Sequence, residues 1–535
     1  MPIIFDESLD TPLVFDGQRQ FDGGQDSDTQ PRILGENQCT ELKNVELDSM
    51  GVAKTRFGCV LSPSTGSSVS VDGISSYRNT SVGSQLSVFT NGNLRILSNW
   101  NTGFVSGASS VYTAGNQVIS ASVSNRLYFI DGSVSGQLKY WNGTSVTTVP
   151  TSGAVSAPAG MTHLMASKGR LFAVRQSEPD TLLVGDFLSE NFDTTTNSIS
   201  LGSDGSPITA IIEWTGDRIA VFKESRVFVV SGITQTSATS FSIETVENAN
   251  GALGQKSVIR VGADIAFVSR DGIRLLTRTL QGQEQAVTAP LSKPIDNKFE
   301  KIDISKPNEM CMVYHENTVI ISAKDVSNND ITLAYDTQAK AWLGEWTGRF
   351  YPLCATQATN GISLPANVAS TALFTGLVFG DRSGRVYLWR RGHNFGSSST
   401  LSYSDDSAST NDGLIPIPTI IASRGMTFAE AGSRKLGNKC EIEFYNSEAT
   451  ATIEYLMDNG AWETLETVST AAAPLNLPFN LPQLMSGFPP IQTAGNTLID
   501  QDYFREIIFR VSSTSGYLAV RGMSVSAYLQ PYLVT

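Results

Sequence analysis

The chain is poor in charge and in the residues that carry most enzyme chemistry. Only 17% of its 535 residues are charged, and 38 basic against 51 acidic side chains leave a net charge of −13. That balance argues against a surface for nucleic acid or anionic membrane, which needs clustered Lys and Arg. Histidine occurs three times, at His163, His315 and His393, each alone in sequence. Five cysteines (Cys39, Cys59, Cys311, Cys354, Cys440) are scattered with no CxxC pair. They read as free buried thiols made in a reducing cytoplasm, and with no HExxH or His cluster nothing supports zinc. There is no G-x-S-x-G elbow and no phosphate-binding loop. No apolar run approaches the ~20 residues that span a membrane. The opening MPIIFDESLD has no basic or apolar leader region, so neither a signal peptide nor membrane insertion is expected. We therefore assign no catalytic residue, no cofactor or cofactor-binding residue and no metal ligand. Two Asp-rich stretches, DGSVSG at Asp131 and DRSG at Asp381, have the oxygen chemistry of calcium loops, but they stand where hairpin turns are expected and are read as turns.

What the chain does have is a repeat. IAFVSRDGIRLL begins at Ile265, and Asp271-Gly272 between its apolar runs predicts a two-residue type I′ hairpin. Related runs begin at Leu86 (LSVFTNGNLRIL), Leu127, Leu171, Arg218, Thr318 and Leu377, with successive spacings of 41, 44, 47, 47, 53 and 59 residues. Their Val, Ile, Phe and Tyr alternate or run on continuously, as in strands, and lack the i, i+3, i+4 spacing of helices. A period of about 40–50 residues built of short strands is that of a β-propeller blade. The expectation is an all-β chain: a propeller of about seven blades over residues 31–395, preceded by an extended arm over 1–30. The arm repeats Phe-Asp, at Phe5-Asp6, Phe15-Asp16 and Phe21-Asp22. GSSSTLSYSDDSASTNDG is polar and of low complexity, so residues 396–415 read as a linker or loop. Period-two runs such as ATIEYLMDNGAWETL and REIIFRVSS then predict an antiparallel sandwich-like domain over 416–535, interrupted by a Pro-rich insertion. On that division a propeller ending near Gly396 should fold alone.

Trp-Asp is absent and Gly-Gly occurs once, at Gly23-Gly24, so WD-repeat and kelch arrays are not supported. Four segments, in order, resemble the tail nozzle (tail hub) propeller proteins of short-tailed bacteriophages. The first is Phe21 to Gly58, with Asn44-Val45, Asp48, Gly51, Arg56 and Gly58 in the family's pattern. The second carries Phe222-Lys223, Val230-Ser231-Gly232, Gly254 and Ser269-Arg270-Asp271-Gly272-Ile273-Arg274. The third is Tyr335-Asp336 followed by Trp342, and the fourth is the ending REIIFRVSSTSGYLAVRGMSVSAYL. The Pro-rich insertion departs from the pattern. The resemblance implies a non-enzymatic virion protein, made in the host cytoplasm and placed in the tail. It implies a homohexameric ring below the portal–adaptor complex, contacts with the head–tail adaptor and with needle or fibre proteins, and a channel that DNA crosses without specific binding during ejection. A different class, a propeller that binds or cleaves host glycans, would instead show an aromatic-lined pocket with convergent carboxylates.

Overall fold

The computed structural model describes residues 13–529 apart from 101–102, 194–196, 203–204, 247–249, 279–283, 287–288, 359–375, 392–402, 407–413, 429–434, 446, 459 and 471–503. His393, Phe5-Asp6 and the Pro-rich insertion lie outside the described residues.

Seven four-stranded antiparallel meanders make the ring, six as separate sheets and one as the end of a nine-stranded sheet. Blades 1 to 6 run Val71–Ala108, Ile119–Thr148, Met161–Ser200, Ile208–Val246, Val258–Ala286 and Cys311–Glu345. Each of the seven repeat anchors falls in the second strand of a blade. Arg170–Arg175, Arg218–Lys223 and Thr318–Lys324 are three of them. Second strands are covered on both faces by neighbouring blades, so they read as continuous apolar runs. That is why they, and not the first or fourth strands, carried the repeat signal. The first strands of all seven blades touch in a closed cycle.

The ring closes through a strand from before the first blade. Blade 7 takes Cys354–Ala358, Gly376–Gly380 and Val386–Trp389 from the far end of the repeat. Its fourth strand is Cys59–Leu61, paired Leu388 to Val60. Pairing the two ends of the repeat locks the circle and removes an open edge.

The second unit is built from both ends of the chain. Blade 6 continues outward: Glu345 pairs in parallel with Lys43, and the Glu41–Lys43 strand pairs on its other side with Thr419–Ala422. The sheet then runs on through Ile507–Tyr517 and Glu448–Met457 to Glu463–Ser469, nine strands in all. Facing it is a sheet centred on Ala519–Leu529, flanked by Lys435–Phe444 on one side and by Leu13–Gln18 and Ala53–Thr55 on the other. Ala449, Ala451, Ile453 and Tyr455 alternate inward from one sheet, while Ile442, Met523 and Val525 are buried from the other. These join Trp346, Phe350, Phe379 and Trp389 of blades 6 and 7 in one continuous core.

Three expectations change. The segment 1–30 is not an arm where it is described: Leu13–Gln18 is a sheet strand and Phe21 is fully buried, although Phe15 is 74% exposed. The propeller does not begin at residue 31, because Gln38–Cys39 pairs with Gly24–Gln25 in a small sheet of its own and the strands from Glu41–Lys43 to Ala53–Thr55 belong to the sandwich and to its bridge with blade 6. The polar stretch 396–415 is not a linker in its described part. Tyr403 stacks between Phe57 and Tyr517 at centroid distances of 5.1 and 4.2 Å, and Asp405 is fully buried. Short two- and three-residue strands carry no periodicity, and a buried carboxylate has no compositional signature, so none of this could be read locally.

The turns are partly as expected. Asn91 and Gly92 take φ of 51° and 76°, the type I′ geometry. Around Asp271 the ladder pairs Ser269 with Gly272. The two turn residues are therefore Arg270 and Asp271, and neither has positive φ. Side chains fold this turn instead: the Ser269 hydroxyl donates to Asp271 Oδ1 at 2.6 Å and the Asn250 amide to Oδ2 at 2.6 Å.

Candidate functional site

Among the described residues a shallow polar cleft of about 320 Å³ lies between blades 4 and 5, lined by Glu224, Ser225, Asn250, Arg270 and Asp271. It sits where the second-to-third-strand turns of the two blades meet the connection between them. Arg270 Nε donates to Glu224 at 2.6 Å. Asp271 is held well below the usual carboxylate range by the Arg274 guanidinium, then by Ser269 and Asn250. Glycoside hydrolysis needs one carboxyl kept protonated and a second free to act as base or nucleophile. Among the described residues both carboxylates of the cleft are ion-paired and no aromatic ring lines it, so these residues do not make the platform and the acid–base pair of a sugar site.

The Asp-rich stretches are turns. Asp131 Oδ1 accepts from the Ser133 N–H and hydroxyl at 3.1 and 2.6 Å, and Oδ2 from Thr113 N–H at 2.9 Å. Asp381 Oδ1 accepts from Ser383 and Arg385 N–H at 2.8 and 2.9 Å. Among the described residues no group of three His, Cys, Asp or Glu side chains is placed to hold a metal. Because these oxygens already accept protein donors, the melting temperature is expected to be unchanged by a chelator. A drop in a thermal melt with EDTA would mean that a native-state ion site exists.

His163 is structural, and His315 is buried with its ring 5.7 Å from that of Trp389. The His163 ring sits between the Thr162 hydroxyl and the Thr209 carbonyl, each at 2.9 Å, and joins the inner strands of blades 3 and 4. Burial lowers its pKa to about 4. Its folded value lies below the unfolded ~6.5, so the unfolded chain binds the extra proton first. Stability from this group is fully present above about pH 6.5 and is lost as pH falls toward 4. A His163→Gln variant should show a flatter stability–pH curve over that window in urea titrations. All five thiols are buried and outside any disulfide, as the sequence implies, and burial raises Cys311 to about 11 and Cys354 to about 12, which removes thiolate reactivity.

A buried polar cluster lies at the joint between ring and sandwich, and the sequence reading did not single it out as a site. Arg56 is fully buried. Its Nε donates to Asn44 Oδ1 at 3.1 Å, and its terminal nitrogens donate to the Phe57 and Thr347 carbonyls at 2.9 and 2.6 Å. Those nitrogens also reach the two Asp405 oxygens at 3.2 and 2.8 Å. Trp346 and Phe350 flank the guanidinium at 5.8 and 5.4 Å. Burial works against this cation, and the Asp405 carboxylate outweighs it, so the Arg56 pKa is raised. Asn44, at φ 54°, fixes the corner: its amide donates to Thr347 Oγ1 and the Pro418 carbonyl at 2.8 and 2.7 Å. Asp48 Oδ1 caps the turn at Gly51 through Met50 and Val52 N–H, at 2.8 and 2.9 Å. A Cβ on Gly58 would lie 1.7 Å from the Ser404 carbonyl oxygen, so only glycine fits there. Thus Asn44, Arg56 and Gly58 of the first resembling segment build this joint, the Val45 carbonyl joins it by accepting from Trp346 Nε1 at 3.1 Å, and Asp48 and Gly51 shape the turn that follows. Tyr403, Asp405 and Asp406 were missed. The one available signal was an aromatic and two adjacent carboxylates inside an otherwise Ser/Thr-rich stretch.

No family model matches the chain, and no curated protein does. Solved structures similar to it are propellers. The WD40 β-propeller domain of Doa1 matches at 10% identity and TM-score 0.38, over 64% of this chain and 100% of that one. The Cps50 (Swd1) β-propeller domain of Myceliophteria thermophila matches at 12% and 0.39, over 62% and 99%. YCF48 from Cyanidioschyzon merolae matches at 8% and 0.37, over 62% and 98%. At such identities and scores they carry no functional argument. The architecture rests on the chain's own strand pairing: it is an all-β protein, a seven-bladed β-propeller joined to a β-sandwich-like unit.

Proposed function

We propose that this chain is a structural protein of a bacteriophage tail, a nozzle or hub that forms a ring below the portal–adaptor complex and supports needle or fibre proteins. The observation that carries the reading is the joint. Several residues of the first segment by which the sequence resembles the tail nozzle proteins fix the ring to the sandwich, with Arg56 and Asp405 fully buried between the two units. A two-part body sharing one core is a rigid tile, and rigid tiles close into rings through a repeated head-to-tail interface. The reading makes the chain non-enzymatic.

In this reading DNA passes between copies and not along a propeller axis. Neighbouring inner strands meet through hydrogen bonds. Gln255 Nε2 donates to the Ile211 carbonyl at 2.8 Å, Gln357 Nε2 to the Tyr314 carbonyl at 2.9 Å, and Ser76 N–H to Thr356 Oγ1 at 3.3 Å. A duplex whose major groove alone is about 12 Å wide needs a larger opening, and only an oligomer supplies it. The acidic balance suits a conduit that repels the duplex from its wall. The test is particle mass by light scattering. A mass six times the 57.5 kDa chain is expected, and a monomer at tens of micromolar would overturn the ring. The glycan reading gains nothing from the cleft between blades 4 and 5, whose described lining has paired carboxylates and no aromatic ring.

A further inference from the structure

Arg170 opens the second strand of blade 3 and is 1% exposed. Arginine is seldom buried so fully unless it is paired. Yet among the described residues no carboxylate lies within ion-pair distance of this one. Nη2 donates to the Thr236 carbonyl at 2.8 Å, while Nε and Nη1 are buried and meet no acceptor. Asp186 acts on the guanidinium only from further off, and its oxygens are taken by the Asn191 and Asn197 amides at 2.7 and 3.3 Å. The Phe187 ring lies 3.8 Å from the guanidinium and is itself 41% exposed. On that side one surface side chain separates the cation from solvent.

The loops around Arg170 are the second observation. The third-to-fourth-strand connection is short in blades 2 and 6, from Trp141 to Val146 and from Asp336 to Ala341. In blades 3 and 4 it is longer, from Val184 to Ser198 and from Ser231 to Ser242. The two long loops meet at Arg170. Ala238 N–H donates to Asn197 Oδ1 at 3.4 Å, and Thr236 and Phe187 both hold the guanidinium. Insertions on one face of a repeat protein often carry its binding surface. Here the blade 3 loop presents Leu188 at 67% exposure with φ 53°, a left-handed backbone that leucine seldom adopts. Its N–H is held by the Gly169 carbonyl at 2.7 Å. Strain that points an apolar side chain at water adds nothing to the core. Lys168, exposed in the turn before Arg170, adds a second positive charge.

We propose that this patch is a docking surface for a protein segment that carries a carboxylate between apolar side chains. Phe187 turns off the guanidinium, and the carboxylate takes Nε or Nη1 together with the second hydrogen of Nη2. Phe187 and Leu188 then pack against the segment's apolar side chains. Such a charge-assisted bond is stronger than a neutral one and fixes the partner's register. The single buried cation matches the single charge of a carboxylate better than the double charge of a phosphate. The inference goes beyond the tail reading and does not require it.

The test uses the full chain and a fluorescent peptide, SLEFS, with SLQFS as control, read by anisotropy. Saturable binding of SLEFS below about 1 mM is expected, with SLQFS at least about tenfold weaker. Arg170→Met should weaken SLEFS by the same factor without lowering the melting temperature, because a buried charge with no counter-ion serves a partner and not the fold. Leu188→Gly, which suits the left-handed backbone, should also melt no lower and bind SLEFS more weakly. Equal binding of the two peptides, or no saturation, would overturn the docking surface. A melting temperature lower by more than about 4 °C in Arg170→Met would overturn it too, by showing that the fold needs this cation. Should Arg170→Met fail to fold, Leu188→Gly and the peptide pair on wild type decide the question.

Discussion

Replacing Arg56 with alanine is expected to lower stability by about 3–5 kcal/mol, the usual loss when one partner of a buried ion pair is removed. The size reflects the groups left behind. Asp405 is fully buried, and without Arg56 its charge faces only the Cys59 and Arg349 N–H groups. The Asn44 side chain loses a donor, and a cavity opens between Trp346 and Phe350. An R56M/D405L pair, which removes both charges and keeps the volume, should recover much of the loss, because replacing a whole buried pair is often close to neutral. Urea unfolding followed by far-UV circular dichroism measures both. A loss below about 1 kcal/mol for R56A, typical of exposed pairs, would mean that the joint is wetter and looser than described.

A fragment of residues 1–396 is expected not to fold, although the composition of the chain suggests a separable propeller. Removing residues 397–535 strips Thr419–Ala422 from the Glu41–Lys43 strand and Ala519–Leu529 from both Leu13–Gln18 and Ala53–Thr55. It also exposes Leu42, Val45 and Phe21, each fully buried in the shared core, and leaves Arg56 without Asp405. Several such side chains at roughly 1.5–3 kcal/mol each amount to a large part of the roughly 5–15 kcal/mol that stabilises an ordinary domain. The fragment should be insoluble or lack a cooperative thermal transition. A soluble fragment that melts cooperatively near the full-length temperature would show that ring and sandwich are independent.

The ring was legible because a propeller repeats its most buried strand. Phe172, Val221, Phe267 and Ile320 are all fully covered second-strand residues, and a buried run looks the same in every blade. The sandwich strands Glu448–Met457 and Ile507–Tyr517 were legible for the opposite reason, since one face is wet and the pattern alternates. What stayed hidden is long-range. Glu41–Lys43 is a strand only because Glu345 and Ile420 lie on either side of it. Asp405 is a core residue only because Arg56, 349 positions earlier, is there to receive it. The Asp271 turn misled through a local rule: Asp-Gly marked the position, but side-chain bonds to Ser269 and Asn250 let the chain turn one residue earlier, with no positive φ at either turn residue. Asn44, Arg56 and Gly58 of the first motif segment are explained by this joint, while the motif residues of the second and third segments lie in and between blades 4 to 6. They therefore bear on the architecture more directly than on the biological role, which an assembly measurement must decide.

Electron microscopy of the purified full-length protein is that measurement. A closed ring of six copies is predicted, each a seven-bladed disk with its sandwich at the rim, around an opening wide enough for a duplex and lined mainly by acidic and small polar side chains. Single disks at concentrations of tens of micromolar, or a ring whose inner wall is lined by Lys and Arg, would contradict the account.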